Sequence, residues 1–138
     1  MDWKFGSPER DAYRKIKEAL STNPVLKYYN TNTPLLLSVD ASTQGLGAAV
    51  IQDDGIVAYA SRALTPTEQR YAQIEKEMLA VVFGCTRFHQ LVYGKKDVTV
   101  ESDHKPLENL HRKPLHAAPM KIQRMMLMLQ PYCCVMCL

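Results

Sequence analysis

Three acidic residues occupy positions from which their carboxylates could meet at one site. Asp40 ends the apolar run Leu35–Val39, which is typical of a buried strand, and a carboxylate at the tip of such a strand costs desolvation energy unless something pairs with it. Asp103 follows the strand-like segment Val98–Ser102, and Glu77 lies within a long amphipathic helix. Hard divalent cations take oxygen ligands, and bound metal ions assist phosphodiester hydrolysis. The three acids therefore predict a metal-dependent hydrolytic site.

Periodicity alone leaves the helical ligand open between two acids. At about 100° per residue, Glu77 borders one side of the apolar stripe of the helix, and Glu75 borders the other side, near Val82. Glu101 shares a strand face with Asp103, so it is either an outer ligand or a surface acid. Each acid taken alone is most simply explained as a solvated residue at the edge of an element, and only the joint pattern favours a site.

The N-terminal half predicts a helix followed by three antiparallel strands. Ser7 and Pro8 suit the N-cap and the first turn of a helix that ends at Asn23-Pro24, and Val25–Tyr29 suits a short extended segment. Short connections, among them the hairpin turn Asp53-Asp54-Gly55, make the next three strands antiparallel neighbours. The predicted strands are Leu35–Ala41, Gly45–Gln52 and Ile56–Ser61.

A long helix and a fourth strand should bring the two strand acids together. Thr65-Pro66-Thr67-Glu68 combines an N-cap residue, a proline in the first turn and the glutamate of a capping box, so the sequence predicts one helix from there to about Leu91. The predicted strand Val98–Ser102 follows it. A strand, a crossover helix and another strand indicate that this fourth strand pairs in parallel with the first. Asp103 would then emerge next to Asp40.

The C-terminal part completes a predicted α/β fold with a mixed sheet of five strands and helices on its faces. Pro106–Leu110 suits a short helix, Met120–Gln130 a longer helix, and Tyr132–Leu138 the fifth strand. The methionines of the longer helix are expected to fill the core.

Three of the four cysteines lie close together in the last predicted strand. Cys133, Cys134 and Cys137 would need further ligands, such as His111 or His116, to form a zinc site, and they could otherwise link two copies of the chain. An apolar terminal strand is the simpler interpretation.

Composition limits the class of protein. The chain has 138 residues, is 46% hydrophobic and carries a formal net charge of +3, which suits one globular domain that could meet a polyanion. No apolar run is long enough for a membrane span, and the N-terminus lacks the apolar core of a signal peptide. We therefore expect no membrane association, an intracellular location, cytoplasmic or nuclear, and reduced thiols.

Five short motifs stand in order along the chain. They are Ser-Val-Asp-Ala-Ser at 38–42, Gly-Leu-Gly-Ala-Ala-Val at 45–50, Tyr-Ala-Ser-Arg-Ala-Leu-Thr at 59–65, Tyr-Ala-Gln-Ile-Glu-Lys-Glu-Met-Leu-Ala-Val-Val-Phe at 71–83 and Glu-Ser-Asp-His-Lys-Pro-Leu at 101–107. Together they resemble the ribonuclease H domain of gypsy-type LTR-retrotransposon reverse transcriptases. The stretch Trp3–Leu26 resembles the segment that joins polymerase and ribonuclease H in those Pol polyproteins. The resemblance implies a connector over residues 1–30 and a ribonuclease H-like domain over 31–138.

The resemblance also implies a reaction and the residues that perform it. Asp40, Glu77 and Asp103 match the acids with which the family binds two Mg²⁺ ions, and this match favours Glu77 over Glu75. Mn²⁺ is a possible substitute. The implied reaction is endonucleolytic hydrolysis of the RNA strand of an RNA–DNA hybrid, which leaves a 5′-phosphate and a 3′-hydroxyl.

Substrate contacts are predicted around the first acid and along a set of basic residues. Gln44 and Gly45 lie next to Asp40 in sequence and suit contacts in the minor groove, where 2′-hydroxyls distinguish RNA from DNA. Lys105 belongs to a scattered set that could contact phosphates or form only a solvated surface. The set comprises Lys95, Lys96, Lys105, Arg112, Lys113, Lys121 and Arg124.

The sequence departs from the family pattern at its end. In the family, a helix after the fifth strand carries a fourth metal-binding Asp, whereas this sequence ends with the cysteine-rich stretch up to Leu138. We therefore expect a domain that lacks its last helix and has weak or absent activity. The alternative function is that of an inactive remnant that binds nucleic acid or a protein. A polymerase domain in the parent polyprotein is the expected protein partner.

Overall fold

The structure is a computed structural model that describes residues 6–22, 26–103, 114, 116, 118–132 and 134–137. Its helices are α1 Ser7–Thr22, α2 Pro66–Gln69, α3 Gln73–Arg87, α4 His89–Val92 and α5 Met120–Leu129. Its strands are β1 Leu35–Ala41, β2 Gly45–Gln52, β3 Gly55–Ala63, β4 Val98–Ser102 and β5 Cys134–Cys137. The predicted helix Pro106–Leu110, Lys105, His111 and Cys133 lie outside the described residues.

The strands form one mixed sheet in the order β3-β2-β1-β4-β5. β1 pairs antiparallel with β2, and β2 pairs antiparallel with β3. β4 pairs in parallel with β1 on one side and with β5 on the other. The predicted topology is therefore confirmed, including the parallel pairing of the first and fourth strands.

The prediction of one continuous helix between β3 and β4 is wrong. The stretch from Thr65 to Leu91 folds as α2, α3 and α4 rather than as one helix. The first break occurs because Ala72 has extended backbone (ψ 154°) and donates its N–H to Glu75 Oε2 at 3.1 Å, which starts a new helix. The second break lies at Phe88, whose φ of −104° and ψ of 30° depart from helical geometry.

The two-residue hairpin turn between β2 and β3 is confirmed, although β3 is longer than predicted. Asp53 and Asp54 both have positive φ, 48° and 57°, as a type I′ turn requires. Pairing starts at Gln52 with Gly55 and continues to Gly45 with Ala63. β3 extends past the predicted Ser61 because β2 offers partners along its whole length.

The core lies between the sheet and α3, which packs on β1 and β2. Gly84 permits this approach, since a Cβ at that position would lie 3.1 Å from Val39 Cγ1 and 3.2 Å from Leu37 Cδ2. α5 in turn packs on α3. The largest fully buried side chains include Leu35, Leu37, Val50, Met78, Val81, Val92, Val98, Val100 and Ile122.

A buried glutamine holds the segment before β1 against the end of β2. Gln52, only 4% exposed, accepts a hydrogen bond from the Asn30 N–H at 2.9 Å and donates from Nε2 to the carbonyls of Asn30 and Thr33. Leu26 forms an isolated parallel bridge with Ile56, which agrees with the predicted extended segment. These contacts fix the entry of the chain into β1.

Candidate functional site

Asp40 and Asp103 lie side by side on neighbouring parallel strands. Val39 pairs with Ser102, and each acid is the next residue of its chain. Val39 and Ser102 are buried whereas both acids are exposed. Because parallel strands lie about 4.8 Å apart, Asp103, the residue after β4, follows at the position next to Asp40 at the C-terminal end of these strands.

Glu77 lies at the same end of the sheet, on α3. β3 ends at the same end of the sheet as β1, and β4, which is parallel to β1, begins at the other end. The helix α3 connects β3 to β4, so it runs antiparallel to β1. Gly84 lies over Leu37 and Val39, and Glu77 is two helical turns earlier, about 10 Å along the axis. A strand covers that length in about three residues, which places Glu77 near the C-terminal end of β1.

The three acids differ in their surroundings. Glu77 is 5% exposed, and its Oε1 atom accepts a hydrogen bond from Gln73 Nε2 at 2.8 Å. Asp40 and Asp103 face away from the core. Among the residues that the structure describes, no group of three or more His, Cys, Asp or Glu side chains is arranged to hold a metal ion. The fold therefore collects the acids at one end of the sheet without joining all three into one ligand cluster.

The donor atoms suit a hard divalent cation. All three side chains offer carboxylate oxygens, the ligands that Mg²⁺ prefers, and the adjacent pair Asp40 and Asp103 could share one ion. Glu77 fits by donor type and by its place at the same end. All three side chains thus offer the oxygen ligands that suit Mg²⁺, and Asp40 and Asp103 are also adjacent.

The alternative acid Glu75 is engaged elsewhere. Its Oε2 atom accepts hydrogen bonds from the Ala72 N–H at 3.1 Å and from Lys121 Nζ at 3.2 Å, so the carboxylate starts α3 and links it to α5. Glu101 is exposed on the face that carries Asp40 and Asp103. This geometry favours Glu77 as the helical acid and keeps Glu101 as a candidate outer ligand.

Gln44 and Gly45 form a tight turn beside Asp40. The Ser42 hydroxyl accepts hydrogen bonds from the N–H groups of Gln44 (3.2 Å) and Gly45 (3.0 Å), and the Gln44 carbonyl accepts one from the Leu64 N–H at 2.8 Å. A Cβ on Gly45 would lie 3.2 Å from the Arg62 carbonyl oxygen. The absence of a side chain at Gly45 therefore permits the close approach of β3, and the Gln44 side chain is exposed.

The sequence reasoning missed an ion pair at this end of the sheet. Arg62 donates from Nη1 and Nη2 to the two carboxylate oxygens of Glu68 at 3.1 and 2.9 Å, and this hydrogen bonding holds the pKa of Glu68 below its ordinary value. Thr65 caps α2 by accepting from the Glu68 N–H at 3.2 Å. The capping box was visible in the sequence, but the arginine partner depends on where β3 ends.

The predicted basic set is divided by the fold. Lys95 lies before β4, at the opposite end from the acids, and its side chain is 8% exposed and pairs with Asp97. Lys121 and Arg124 instead line a groove of about 420 Å³ between α3 and α5, where the Lys121 ammonium lies 3.8 Å from the centre of the Tyr71 ring. Lys105 lies outside the described residues.

Comparison with known proteins identifies the family. Residues 5–100 match the RNase H-like domain found in reverse transcriptase. The chain belongs to this family. Asp40 and Glu77 lie within the matched residues, and Asp103 lies just beyond them.

Curated relatives are Pol polyproteins of transposons. The Pol polyprotein of transposon gypsy from Drosophila melanogaster is 33% identical over 105 residues, which are 75% of this chain and 10% of the relative. That of transposon 297 from the same organism is 32% identical over 122 residues, 88% of this chain and 11% of the relative. The RNase H-like chain thus spans about a tenth of the length of these relatives.

Solved structures show the same fold. The native protease–reverse transcriptase of prototype foamy virus superposes with a TM-score of 0.75 at 16% identity, over 99% of this chain and 19% of its own. The foamy viral protease–reverse transcriptase in complex with an RNA/DNA hybrid gives 0.68 at 21% identity, over 96% and 19%. The predicted ribonuclease H-like fold is therefore confirmed. In the described part of the RNase H-like chain, no helix has the length and apolarity to span a bilayer.

Proposed function

We propose that this RNase H-like chain is a Mg²⁺-dependent endonuclease that cleaves the RNA strand of RNA–DNA hybrids. The observation that carries the proposal is the placement of Asp40, in β1, next to Asp103, directly after β4, with Glu77 at the same end of the sheet. Three carboxylates from rigid elements at one end of a sheet suit metal-assisted phosphodiester hydrolysis. Family membership supports the same reaction.

Each acid has a role that its surroundings suit. Asp40 and Asp103 are exposed and would hold Mg²⁺, to which the scissile phosphate would bind. Glu77 is buried and oriented by Gln73, so it is positioned before any ligand arrives. Mg²⁺ would stabilise charge on the phosphate and lower the pKa of a bound water.

Substrate and partner follow from the same site. Gln44 is exposed beside Asp40 and suits a contact to the minor groove of a hybrid, with Lys121 and Arg124 near phosphates. The relatives are Pol polyproteins, and the family occurs in reverse transcriptase. The polymerase domain of such a polyprotein is therefore the proposed protein partner.

The test is cleavage of a hybrid labelled on its RNA strand, measured with and without Mg²⁺. We expect Mg²⁺-dependent cleavage that Asp103→Asn reduces by about 100-fold or more, because a lost ligand weakens both metal binding and the transition state. Asp54→Asn is the matched control, since Asp54 is an exposed acid in the turn at the opposite end of the sheet. Equal rates for both variants, or cleavage without metal, would contradict the proposal.

One observation favours a second function. The three acids are not joined into a single metal-binding cluster in the described residues, which suits a domain that binds a hybrid without cleaving it. Hybrid binding by folded protein, with no cleavage in either Mg²⁺ or Mn²⁺, would favour this alternative.

A further inference from the structure

The groove between α3 and α5 combines apolar side chains with two cations. Its volume is about 420 Å³, within the range of about 300–1,000 Å³ that is typical of ligand sites. Leu79 and Met125 supply an apolar floor, and Met120, which is 72% exposed, adds a flexible thioether side chain. We call these residues the α3–α5 groove: Tyr71, Leu79, Met120, Lys121, Arg124 and Met125.

The two cations of the groove differ in what they already contact. Lys121 Nζ lies 3.2 Å from Glu75 Oε2 and 3.8 Å from the centre of the Tyr71 ring, so its charge is shared with groups of the protein. Arg124 is exposed, and within the described part of the chain it makes no hydrogen bond or ion pair. The sequence of α5, MKIQRMMLML, contains no acidic residue. Arg124 is therefore available to bind an anion.

The groove lies near the site of the three acids but on a different face of α3. Its contact with Glu75 is in the first turn of α3, at the end of the sheet where Asp40 and Asp103 lie. Glu75 and Leu79 are four residues apart and share one face of the helix, whereas Glu77 is about 200° round the helix from each of them. A ligand in the groove would therefore lie beside the acid site without entering it.

An unpaired nucleotide suits this combination of groups. Its base is a flat, polarisable ring that packs on apolar and aromatic side chains, and its phosphate pairs with a cation. Leu79, Met120 and Met125 could contact the base, and the exposed Arg124 could bind the phosphate. The groove thus offers a base contact and a phosphate contact side by side.

Two other occupants suit the groove less well. A second copy of the chain, bound about a two-fold axis, would bring like charges together, because the residues that line the groove include two cations and no acid. An acidic polypeptide would satisfy the charge of Arg124, but it gives no reason for a groove beside the acid site. Nucleic acid is expected at that end of the sheet under the proposed function, which favours a nucleotide.

We propose that the α3–α5 groove binds an unpaired nucleotide of a nucleic-acid strand that continues beyond the cleavage site. The base would lie on the apolar floor and the phosphate at Arg124. The inference rests on the proposed function, because it adds a contact with the same substrate, but the carboxylates and the metal ion take no part in it. Such a contact would favour hybrids with a single-stranded extension over blunt hybrids.

Binding of labelled single strands in the presence of chelator tests the proposal. The probes are adenosine oligonucleotides of about 12 nucleotides, one of DNA and one of RNA, together with an abasic DNA strand and a polyglutamate peptide of the same length. We expect the adenosine strands to bind about fivefold or more tightly than the abasic strand, because a stacked base adds to the affinity. The tighter of the two adenosine strands identifies which strand of the substrate the groove holds.

Two exposed methionines of α5 provide a matched pair of variants. Met120 lines the groove, whereas Met128, which is 52% exposed, does not. Met120→Glu places a carboxylate where the phosphate approaches and should weaken binding of the adenosine strands by about tenfold or more. Met128→Glu makes the same change in net charge and should weaken binding by less than about twofold, because solvent and salt screen a distant charge.

The salt dependence of binding provides a second, independent variant. Arg124→Gln keeps a good helix former and removes the cation. Loss of one phosphate contact on a single strand should lower the slope of log K against log salt concentration by about 0.7. This slope reports charge contacts, so it decides the role of Arg124 even if Met120→Glu lowers the melting temperature.

Four results would overturn the groove proposal. Equal affinity for the abasic and adenosine strands would show that no base is held, and equal effects of Met120→Glu and Met128→Glu would place the contact elsewhere. Equal affinity for polyglutamate would assign the groove to an acidic polypeptide. The fourth result is no binding of either adenosine strand at roughly 100 µM. Because Mg²⁺-dependent cleavage is measured separately on a hybrid, a failure here is distinct from a failure of the proposed nuclease.

Discussion

Among single residues, the buried and the exposed acids suit different parts of one site. Glu77 is 5% exposed and held by Gln73, so its carboxylate is oriented by the protein. Asp40 and Asp103 are exposed, so a cation and a phosphate can reach them without any movement of the core. If the proposed function holds, the exposed pair Asp40 and Asp103 would take up Mg²⁺ from solvent, and the orientation of Glu77 would already be fixed.

The Arg62–Glu68 pair predicts a pH-dependent part of stability. Hydrogen bonds from Arg62 are the largest cause of the lowered pKa of Glu68, whose ordinary value is 4.5. The pair therefore stabilises the fold above the pKa of the unfolded chain, and this stabilisation is lost as pH falls through the lower folded pKa. Because the Arg62 side chain is 38% exposed, solvent screens the pair, and we expect about 0.5–1 kcal/mol at pH 7.

Glu68→Gln isolates this contribution. Urea unfolding should show the variant less stable than the unaltered chain at pH 7. At a second, acidic pH below the lowered pKa of folded Glu68, where this carboxyl is protonated in both states, the difference should disappear. A stability difference that is the same at both pH values would mean that shape or hydrogen bonding, rather than charge, accounts for it.

At the level of elements, the β2–β3 hairpin carries removable backbone strain. Asp53 and Asp54 both adopt left-handed φ values, which Asn and Gly accept more readily than Asp. The double change Asp53→Asn and Asp54→Gly should raise the free energy of unfolding by about 0.5–1.5 kcal/mol, because Asn-Gly is the preferred type I′ pair. The Lys27 ammonium donates to the Asp53 carbonyl oxygen, so these side-chain changes leave that contact in place.

Urea unfolding measures the gain, and Asp54→Ala is the opposite control. Alanine has the Cβ that disfavours this conformation and lacks a polar group that could offset it, so Asp54→Ala should destabilise the hairpin. A double variant no more stable than the unaltered chain would show that the turn is not strained.

The elements also show how far the sequence predicts the fold. The pairing of β1 with β4 follows from a strand–helix–strand pattern, so the adjacency of Asp40 and Asp103 was predictable. The break between α2 and α3 was not, because the N–H that starts α3 belongs to Ala72, which has no capping side chain. A hydrogen bond from the Ala72 backbone N–H to the Glu75 side chain is difficult to predict from the sequence, because any residue at position 72 except proline could donate it.

The position of Glu77 relative to the strand acids depends on long-range packing. It is set by how closely α3 approaches β1, and the absence of a side chain at Gly84, opposite Leu37 and Val39, permits this approach. Helical periodicity left Glu75 and Glu77 as alternatives, and the ion pair of Glu75 with Lys121 of α5 became visible only in three dimensions. Local sequence patterns thus predicted which acids are candidates. Which of them are buried, exposed or paired depends on tertiary contacts, which these patterns do not show.

In the whole molecule, two of the polar contacts that fix the fold lie at the end of the sheet opposite the acids. Gln52 and the Lys95–Asp97 pair tie down the chain at the end where β2 finishes and β4 begins. Asp40 and Asp103 lie at the other end, where both side chains are exposed. Substitution of an exposed acid there should leave the stability of the metal-free protein nearly unchanged, so metal binding can be measured separately from folding.

Thermal unfolding with and without Mg²⁺ uses this separation. An ion that binds only the folded chain should add about 1.4 kcal/mol at ten times its Kd, which raises the melting temperature by about 4–6 °C for a domain of this size. Asp40→Asn should abolish the rise without changing the melting temperature in chelator, whereas Asp54→Asn should keep it. A similar rise in both variants would mean that Mg²⁺ acts on the surface as a whole, and no rise at millimolar Mg²⁺ would contradict a metal-dependent nuclease.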